Sequence, residues 1–262
     1  RARHEVSAAR GTLYLVPMPL GSGDLHACLP QDALATVARL TRFIAEDART
    51  ARRVLTKLPL DTPIRDVEFG ELNEHTRPAD LAGLLTPLLA GTDVGLVSEA
   101  GCPVIADPGA AVVALAHEHG IRVAPLIGPS AVLLALMGSG LSGQAFRFHG
   151  YLPVDPQARR QRIVAIEQDS ARSDCTHLFI ETPYRNDQML GSLLECCQPS
   201  TRLSVCVDLT LPTEAIVTRK PVFIYDLLRG KGSHRPPLPP GSGITPLSPL
   251  ERAKDFNLRA LI

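Results

Sequence analysis

The stretch LVSEAGCPVIADPGA at residues 96–110 combines residue types that could hold a ligand. An apolar run leads there into a loop with two glycines, two prolines and two carboxylates, Glu99 and Asp107. Glycines let a ligand approach the main chain, prolines fix the shape of the loop, and carboxylates accept hydrogen bonds from hydroxyl or amino groups. The pattern predicts a small-molecule site. It also fits a plain strand-to-helix turn in which Asp107 caps the next helix.

Two further loops follow apolar runs in the same manner. The segment MPLGSG comes after the strand-like run TLYLV, and Gly128, Pro129 and Ser130 come after IRVAPL at 121–126. Loops at the carboxyl ends of parallel strands meet at one edge of a sheet, so the three loops are expected to share one crevice. GSGDL at 21–25 does not match GxGxxG, and no GK[ST] phosphate loop occurs, so an ordinary dinucleotide or P-loop site is not indicated.

The elements that must position these loops alternate along the first half of the chain. Apolar runs at 12–17, 93–98 and 121–126 predict buried strands, and helical periodicities separate them. This alternation predicts an α/β domain at 11–142 whose mostly parallel sheet is covered by helices on both faces. The segment at 129–140 is largely apolar and predicts an almost wholly buried helix.

The sequence pattern changes near residue 142, which predicts a domain boundary. Strand-like runs follow one another at 143–228 with few helices between them, so we expect an α+β domain with a mixed sheet. The Pro-rich segment at 229–262 shows little periodicity and is expected to be extended or disordered.

Composition limits the classes of function. Lys plus Arg and Asp plus Glu each number 27, so no overall basic field attracts nucleic acid, and only a local anion site stays open. Trp is absent and aromatics are 4%, which disfavours recognition by base stacking. The six cysteines form no CxxC pair, so neither a metal site nor disulfides are predicted. No secretory signal or membrane-spanning run is visible, and a cytoplasmic protein without a membrane partner is expected.

Seven short motifs stand in an order that resembles a known family. They are GTLYLVPMPLG at 11–21, EDARTARRVL at 46–55, NEHTRP at 73–78, SEAGCPVIADPG at 98–109, PLIGPSAVLLALMGSGL at 125–141, FHGYLP at 148–153 and ETPYR at 181–185. On these motifs the chain is similar to the tetrapyrrole methylase superfamily of S-adenosylmethionine-dependent methyltransferases. Within that superfamily it most resembles the branch of small-subunit ribosomal RNA (cytidine-2′-O)-methyltransferases.

The resemblance implies a two-domain enzyme, often a homodimer, that binds S-adenosylmethionine in a cleft between its domains and needs no metal. Residues at positions that match the family motifs are implied to contact this cofactor. They are Pro17, Gly101, Cys102, Pro103, Ile105, Asp107, Gly128, Pro129, Ser130, Ala131, Thr182 and Pro183. Cys102 is thereby explained as a cofactor contact, since no His partner suggests a nucleophile.

The same motifs carry polar residues that are implied to lie near the acceptor. The catalytic candidates are Glu46, Asp47, His75 and Glu99, and the substrate-binding candidates are Arg49 and Arg52. His75 or a carboxylate would act as base, and the arginines would bind phosphate or carboxylate. Plainer alternatives exist for each type. Glu46 and Asp47 could cap a helix, and His75 could bond to the backbone. Arg52 and Arg53 could lie on a solvated helix face.

The acceptor stays open between two chemistries and a third alternative without turnover. A ribose 2′-hydroxyl of ribosomal RNA is a poor nucleophile and needs a base or a cation, whereas an electron-rich tetrapyrrole carbon needs little help. VDLTL at 207–211 stands where the RNA branch usually has RELTK, and the loss of that Arg and Lys favours a small-molecule acceptor. A protein that binds the cofactor without methyl transfer is the third alternative.

Overall fold

The computed structural model describes residues 9–21, 25–73, 75–221 and 259–261. The chain divides into two units, Arg1–Ser130 and Ala131–Ile262. Each unit contains one five-stranded sheet. No helix within the described ranges is both long and apolar enough to span a membrane.

The sheet of the first unit consists of short strands that all run parallel. They are β1 (Thr12–Val16), β2 (Arg42–Ala45), β3 (Glu68–Glu71), β4 (Val94–Val97) and β5 (Arg122–Pro125). Their order is β3-β2-β4-β1-β5, and every residue of the central β4 is buried, as expected for a strand covered on both faces. β5 was predicted to be buried but is an edge strand, and its Arg122 and Pro125 are exposed.

Helices cover both faces of this sheet. They are α1 (Leu25–Cys28), α2 (Gln31–Ala38), α3 (Ala48–Leu55), α4 (Pro78–Leu89) and α5 (Ala110–Glu118). Successive side chains of a strand point to opposite faces, so Phe43 of β2 packs with α2 and α3 while its neighbour Ile44 packs with α4 and α5. The predicted α/β architecture with a parallel sheet between helices is confirmed.

The chain leaves the adjacent strands β1 and β4 toward opposite faces of the sheet. The helices α1 and α2, which follow β1, belong to the core that contains Phe43. The helix α5, which follows β4, belongs to the core that contains Ile44. The helices that follow β1 and β4 therefore lie on opposite faces of the sheet, and the carboxyl edge between them is where open α/β sheets bind their ligands.

The sheet of the second unit is mixed. Its strands are β6 (Phe146–Tyr151), β7 (Thr176–Ile180), β8 (Leu203–Val207), β9 (Ala215–Arg219) and β10 (Arg259–Leu261). β6 and β7 pair in parallel, and β10 pairs antiparallel with β7 and β8, beyond which β9 forms the edge. The unit also contains α6 (Ala131–Ser139), α7 (Pro156–Ser173) and α8 (Asn186–Cys196). The predicted α+β domain with a mixed sheet is confirmed.

The helix α6 corrects two predictions. It belongs to the second unit, so the division falls between residues 130 and 131 and not near residue 142. The reason is its packing on the second sheet, where the Thr218 hydroxyl of β9 donates to the Ser139 carbonyl oxygen at 2.7 Å. The helix is also not almost wholly buried, because only one face packs on the sheet and Met137 is 78% exposed.

The end of the Pro-rich segment is extended and belongs to the second sheet. Residues 229–262 were expected to be extended or disordered, and Arg259–Leu261 form β10 between β7 and β8. A short strand in that place gains backbone hydrogen bonds on both sides, which the composition of the whole segment does not reveal. The rest of the segment lies outside the described residues.

Candidate functional site

The loops that follow the strands of the first sheet carry most of the predicted site residues. Because the sheet is parallel throughout, these loops all leave from the same edge. β1 lies between β4 and β5, so loop 98–109, loop 17–21 and loop 126–130 are neighbours. The loop after β2 lies on the other side of β4.

Met18 and Gly101 join the loop after β1 to the loop after β4. The Met18 amide donates to the Gly101 carbonyl oxygen at 2.8 Å, and the Gly101 amide donates to the Met18 carbonyl oxygen at 2.9 Å. Gly101 has a φ of 72°, which glycine adopts without steric cost. Met18 is fully buried, so this pair of bonds fixes the two loops to each other from inside the unit.

The loop after β5 approaches the loop after β1 at Gly128. A Cβ atom on Gly128 would lie 2.4 Å from the Cβ of Pro17 and 2.8 Å from a methyl carbon of Leu29. The Cys102 thiol donates to the Pro129 carbonyl oxygen at 3.4 Å and thus joins the loop after β4 to the loop after β5. The structure therefore brings together predicted cofactor residues from three separate loops.

Two residues of the loop after β4 hold left-handed backbone conformations. Val104 has a φ of 75° and Ala106 a φ of 67°. For residues with a Cβ atom this conformation costs about 1–2 kcal/mol each, and a β-branched valine adopts it rarely. Such strain persists where the surroundings enforce it, and it clusters at ligand sites. Here Gly109 leaves room for Val104, because a Cβ on Gly109 would lie 3.0 Å from a Val104 methyl carbon.

The same edge exposes apolar surface. Ile105 is 49% exposed and Ile127 is 76% exposed. Pro103 is buried beneath this surface, and Asp107 and Ser130 are half-buried. Exposed aliphatic groups beside backbone amides and carbonyls suit a ligand that is mostly apolar with a few polar groups.

The thiol of Cys102 is held in its neutral form. Burial raises the pKa of Cys102 above its ordinary value, because a thiolate would lose its hydration there. The protonated thiol can then donate to the Pro129 carbonyl oxygen. This geometry gives no support to a nucleophilic role and fits a residue that shapes the loop.

Glu46, Asp47 and Arg49 lie where β2 leads into α3. Asp47 is the N-cap of α3, and its carboxylate accepts a hydrogen bond from the Thr50 amide at 2.8 Å. The plainer alternative for Asp47 is therefore present in the structure. Glu46 is half-buried and Arg49 is exposed.

Arg52 is engaged within the first unit and does not share the exposed surface of Arg49. Its guanidinium carbon lies 4.5 Å from the centre of the Phe69 ring. Its nitrogens lie 3.5 Å from the carbonyl oxygens of Ile64 and Val67. Stacking and long hydrogen bonds of this kind give Arg52 a structural role, so its proposed contact with substrate loses support.

His75 and Glu99 are exposed residues that follow β3 and β4. The backbone amide of His75, and not its imidazole, donates to the Asn73 side-chain oxygen at 3.0 Å. Together with Glu46 after β2, they follow three neighbouring strands and so lie along one side of the edge. Among the described residues, no cluster of three His, Cys, Asp or Glu side chains could hold a metal ion.

The remaining cofactor candidates belong to the second unit. Ala131 is buried at the first position of α6. Thr182 and Pro183 follow β7, and the Thr182 amide donates to the Glu181 carboxylate at 2.8 Å. That carboxylate also forms a buried ion pair with Arg185 at 3.1 Å.

Sequence reasoning missed Met18, Val104, Ala106, Glu181 and Arg185. A signal existed for Glu181 and Arg185, because an acid and an arginine four residues apart follow an apolar strand in the motif ETPYR. Arg185 also donates to the carbonyl oxygen of residue 152 at 3.1 Å, which ties ETPYR to the motif FHGYLP. The other three act through backbone bonds and backbone strain, which depend on tertiary structure.

Comparison with known proteins shows which family and which relatives this chain is similar to. Residues 12–221 match the profile of Tetrapyrrole (Corrin/Porphyrin) Methylases. The chain is 38% identical over 192 residues to a protein of Micromonospora olivasterospora named ribosomal RNA small subunit methyltransferase I. That alignment covers 73% of this chain and 57% of the relative, so the chain spans less than two thirds of the relative's length.

Two solved structures share the fold. The crystal structure of the methyltransferase CobJ has a TM-score of 0.57 at 17% identity, and the match covers 96% of this chain and 93% of that one. Uroporphyrin-III C-methyl transferase from Thermus thermophilus, complexed with S-adenyl homocysteine, has a TM-score of 0.51 at 19% identity, covering 96% and 97%. Because the family profile matches most of its length, this chain belongs to the tetrapyrrole (corrin/porphyrin) methylases.

Proposed function

We propose that this chain is an S-adenosylmethionine-dependent methyltransferase that methylates small-subunit ribosomal RNA at a ribose 2′-hydroxyl. Membership of the methylase family supports the reaction and the cofactor. The name of the relative from Micromonospora olivasterospora supports the RNA acceptor. The cytoplasmic location and homodimeric assembly expected from the sequence are part of this proposal.

The observation that carries the proposal is the joining of three loops at the carboxyl edge. The Met18–Gly101 bridge and the Cys102–Pro129 bond hold the loops after β1, β4 and β5 in one arrangement. The exposed side chain of Ile127 lies beside the backbone of the strained loop at 101–109, so apolar surface and main-chain polar groups adjoin there. Such a surface fits a nucleoside and would leave a sulfonium methyl group reactive.

The chain's own residues would position the reactants and take the proton. When bound, S-adenosylmethionine supplies a methyl carbon for in-line displacement, in which an acceptor oxygen forms the new bond as the carbon–sulfur bond breaks with its electron pair on sulfur. The hydroxyl proton must then go to a base. Glu46, His75 and Glu99 are the candidates, whereas the capping bond occupies Asp47.

A transfer assay with a labelled methyl group tests the reaction and the acceptor together. We expect label in small-subunit ribosomal RNA at a ribose, and the same assay with a tetrapyrrole acceptor tests the second chemistry. Label in the tetrapyrrole alone would overturn the RNA acceptor. Tight binding of S-adenosylhomocysteine with transfer to neither acceptor would support the alternative without turnover.

Single substitutions identify the base. Removing a general base typically lowers the rate by about 10²–10⁴-fold, so one of Glu46→Gln, His75→Gln and Glu99→Gln should lose transfer while keeping cofactor affinity. The matched control is Glu118→Gln, an exposed carboxylate at the end of α5, away from the carboxyl edge. Equal rates in all three variants would contradict a base in this group.

A further inference from the structure

One side of α3 presents three cations, which we name the cationic stripe: Arg49, Arg53 and Lys57. They are four residues apart, and all three are exposed. At 1.5 Å per residue they extend over about 12 Å. Lys57 stays in line with the helix because the C-cap Thr56 keeps right-handed helical geometry and the Lys57 amide donates to the Val54 carbonyl oxygen at 3.1 Å.

The acidic residues Glu46 and Asp47 directly precede α3, and the Asp47 carboxylate accepts its hydrogen bond from the Thr50 amide. α3 has the sequence ARTARRVL, which contains no acidic residue. Within the described ranges, none of the three cations forms an ion pair, whereas Arg42 is paired with Glu68 at 2.6 Å nearby. The stripe is therefore a local positive surface on a chain whose formal net charge is zero.

The remaining cation of α3, Arg52, is separate from the stripe. Arg52 lies over the Phe69 ring on another side of the helix and is half-buried. The structure thus divides the basic residues of α3 and of the turn that follows it into one structural arginine, Arg52, and three exposed cations.

The position of α3 connects the stripe to the candidate site. The helix begins at Ala48, directly after Glu46 and Asp47 at the carboxyl edge of the sheet. Arg49 lies at that edge, and the stripe extends from it along the helix. In contrast, Arg39 and Arg122 lie at the opposite edge, where β2 and β5 begin.

We propose that the cationic stripe binds the phosphate backbone of the RNA strand whose acceptor nucleotide lies at the carboxyl edge. This inference rests on the proposed RNA acceptor. Phosphates of one strand of a DNA duplex follow one another at about 3.4 Å along the axis, and on this scale the stripe is long enough for more than one phosphate of an RNA strand. Arg and Lys bind phosphate by charge-assisted hydrogen bonds. The scarcity of aromatic residues agrees with contacts to the backbone and not to bases.

The salt dependence of RNA binding tests the stripe. Binding of a short fluorescent single-stranded RNA is measured at several salt concentrations for the wild type and for Arg53→Gln/Lys57→Gln. Each lost phosphate contact reduces the slope of log K against log salt by about 0.7 for single strands. Two lost contacts should therefore reduce it by about 1.4. The control Arg39→Gln/Arg122→Gln removes the same charge from the opposite edge and should leave the slope unchanged.

The outcomes separate the stripe from the acceptor. If the wild type binds RNA and both double variants bind with an unchanged slope, the proposal that the stripe binds phosphate is overturned. The proposal of an RNA acceptor is then unaffected. If the wild type shows no salt-dependent RNA binding, the proposed role of the stripe and the proposed RNA acceptor are both contradicted. Vesicles of anionic phospholipid serve as a second probe, and stripe-dependent binding to vesicles without binding to RNA would also overturn the proposal.

Discussion

The carboxyl edge of the first sheet and the interior of the second unit differ in how their energetically unfavourable groups are compensated. At the edge, Val104 and Ala106 hold left-handed backbone, which costs stability, and the exposed Ile127 contributes no burial energy. In the second unit, the buried charges of Glu181 and Arg185 are paired with each other. The first region keeps features that a bound ligand would explain, whereas the second uses polar groups to fix its own loops.

A second polar cluster shows the same internal pairing. Arg162 donates to His149 Nδ1 at 2.9 Å, so His149 carries its hydrogen on Nε2 and donates to His177 Nδ1 at 2.7 Å. His177 Nε2 lies 3.4 Å from an Asp169 carboxylate oxygen but does not form a hydrogen bond with it. Burial and the charge of Arg162 lower the pKa of His149 to about 4, and burial lowers the pKa of His177. Both imidazoles are therefore neutral near pH 7.

The largest effect is expected from breaking the buried ion pair. Glu181→Gln leaves the charge of Arg185 buried without its partner, and the free energy of unfolding should fall by about 3 kcal/mol. Chemical denaturation measures it. The control Arg160→Gln breaks the pair with Glu195, whose side chains are 50% and 58% exposed, and should cost less than about 1 kcal/mol. Equal losses in the two variants would contradict the internal role of the buried pair.

The close approach of two loops predicts the next largest effect. Gly128→Ala places a Cβ 2.4 Å from the Cβ of Pro17, so the loops must move apart, at a cost of about 2 kcal/mol in unfolding free energy. Gly83→Ala is the control, because no atom lies within 4 Å of a Cβ there. Replacing that helical glycine should raise stability by up to about 1 kcal/mol. A neutral Gly128→Ala would mean that the loops after β1 and β5 are not packed as described.

Relief of backbone strain should change stability and ligand affinity in opposite directions. Ala106→Gly removes the left-handed penalty, and after allowance for the more flexible unfolded chain, unfolding free energy should rise by about 0.5–1 kcal/mol. Affinity for S-adenosylhomocysteine should fall, because the loop is less firmly held. Ala79→Gly, at an exposed position in α4, should instead lose up to about 1 kcal/mol. A rise in both stability and affinity would contradict a role of the strain in binding.

The smallest effect is the pH dependence of the histidine cluster, since water screens a partly exposed group. Below pH 6.5 His149 is protonated in the unfolded chain, whereas in the folded chain it becomes protonated only near pH 4. The free energy of unfolding should therefore fall as pH falls from 6.5 to about 4, and should not change through this group above 6.5. Melting temperatures across this range should show a flatter profile for His149→Gln than for His117→Gln. Identical profiles would contradict the cluster's contribution.

The parallel first sheet and the mixed second sheet were predictable because apolar runs and helical periodicities mark elements locally. The division before α6 was not predictable, since the sequence of an apolar helix at a boundary does not show which sheet it packs on.

At the site, glycines and prolines predicted which loops converge. The left-handed backbone of Val104 and the bridge of Met18 were invisible, because neighbouring loops and not local residue types enforce them. The stacking of Arg52 was also not predicted, because helix position alone does not show which cation stacks on Phe69.

Calorimetric titration with S-adenosylhomocysteine tests the central claim most directly. The joined loops predict binding in the micromolar range, about 8 kcal/mol, that weakens in Asp107→Ala and Pro129→Ala and is unchanged in Arg122→Gln. Absence of binding, or binding that none of these substitutions alters, would contradict a cofactor site at the carboxyl edge of the first sheet.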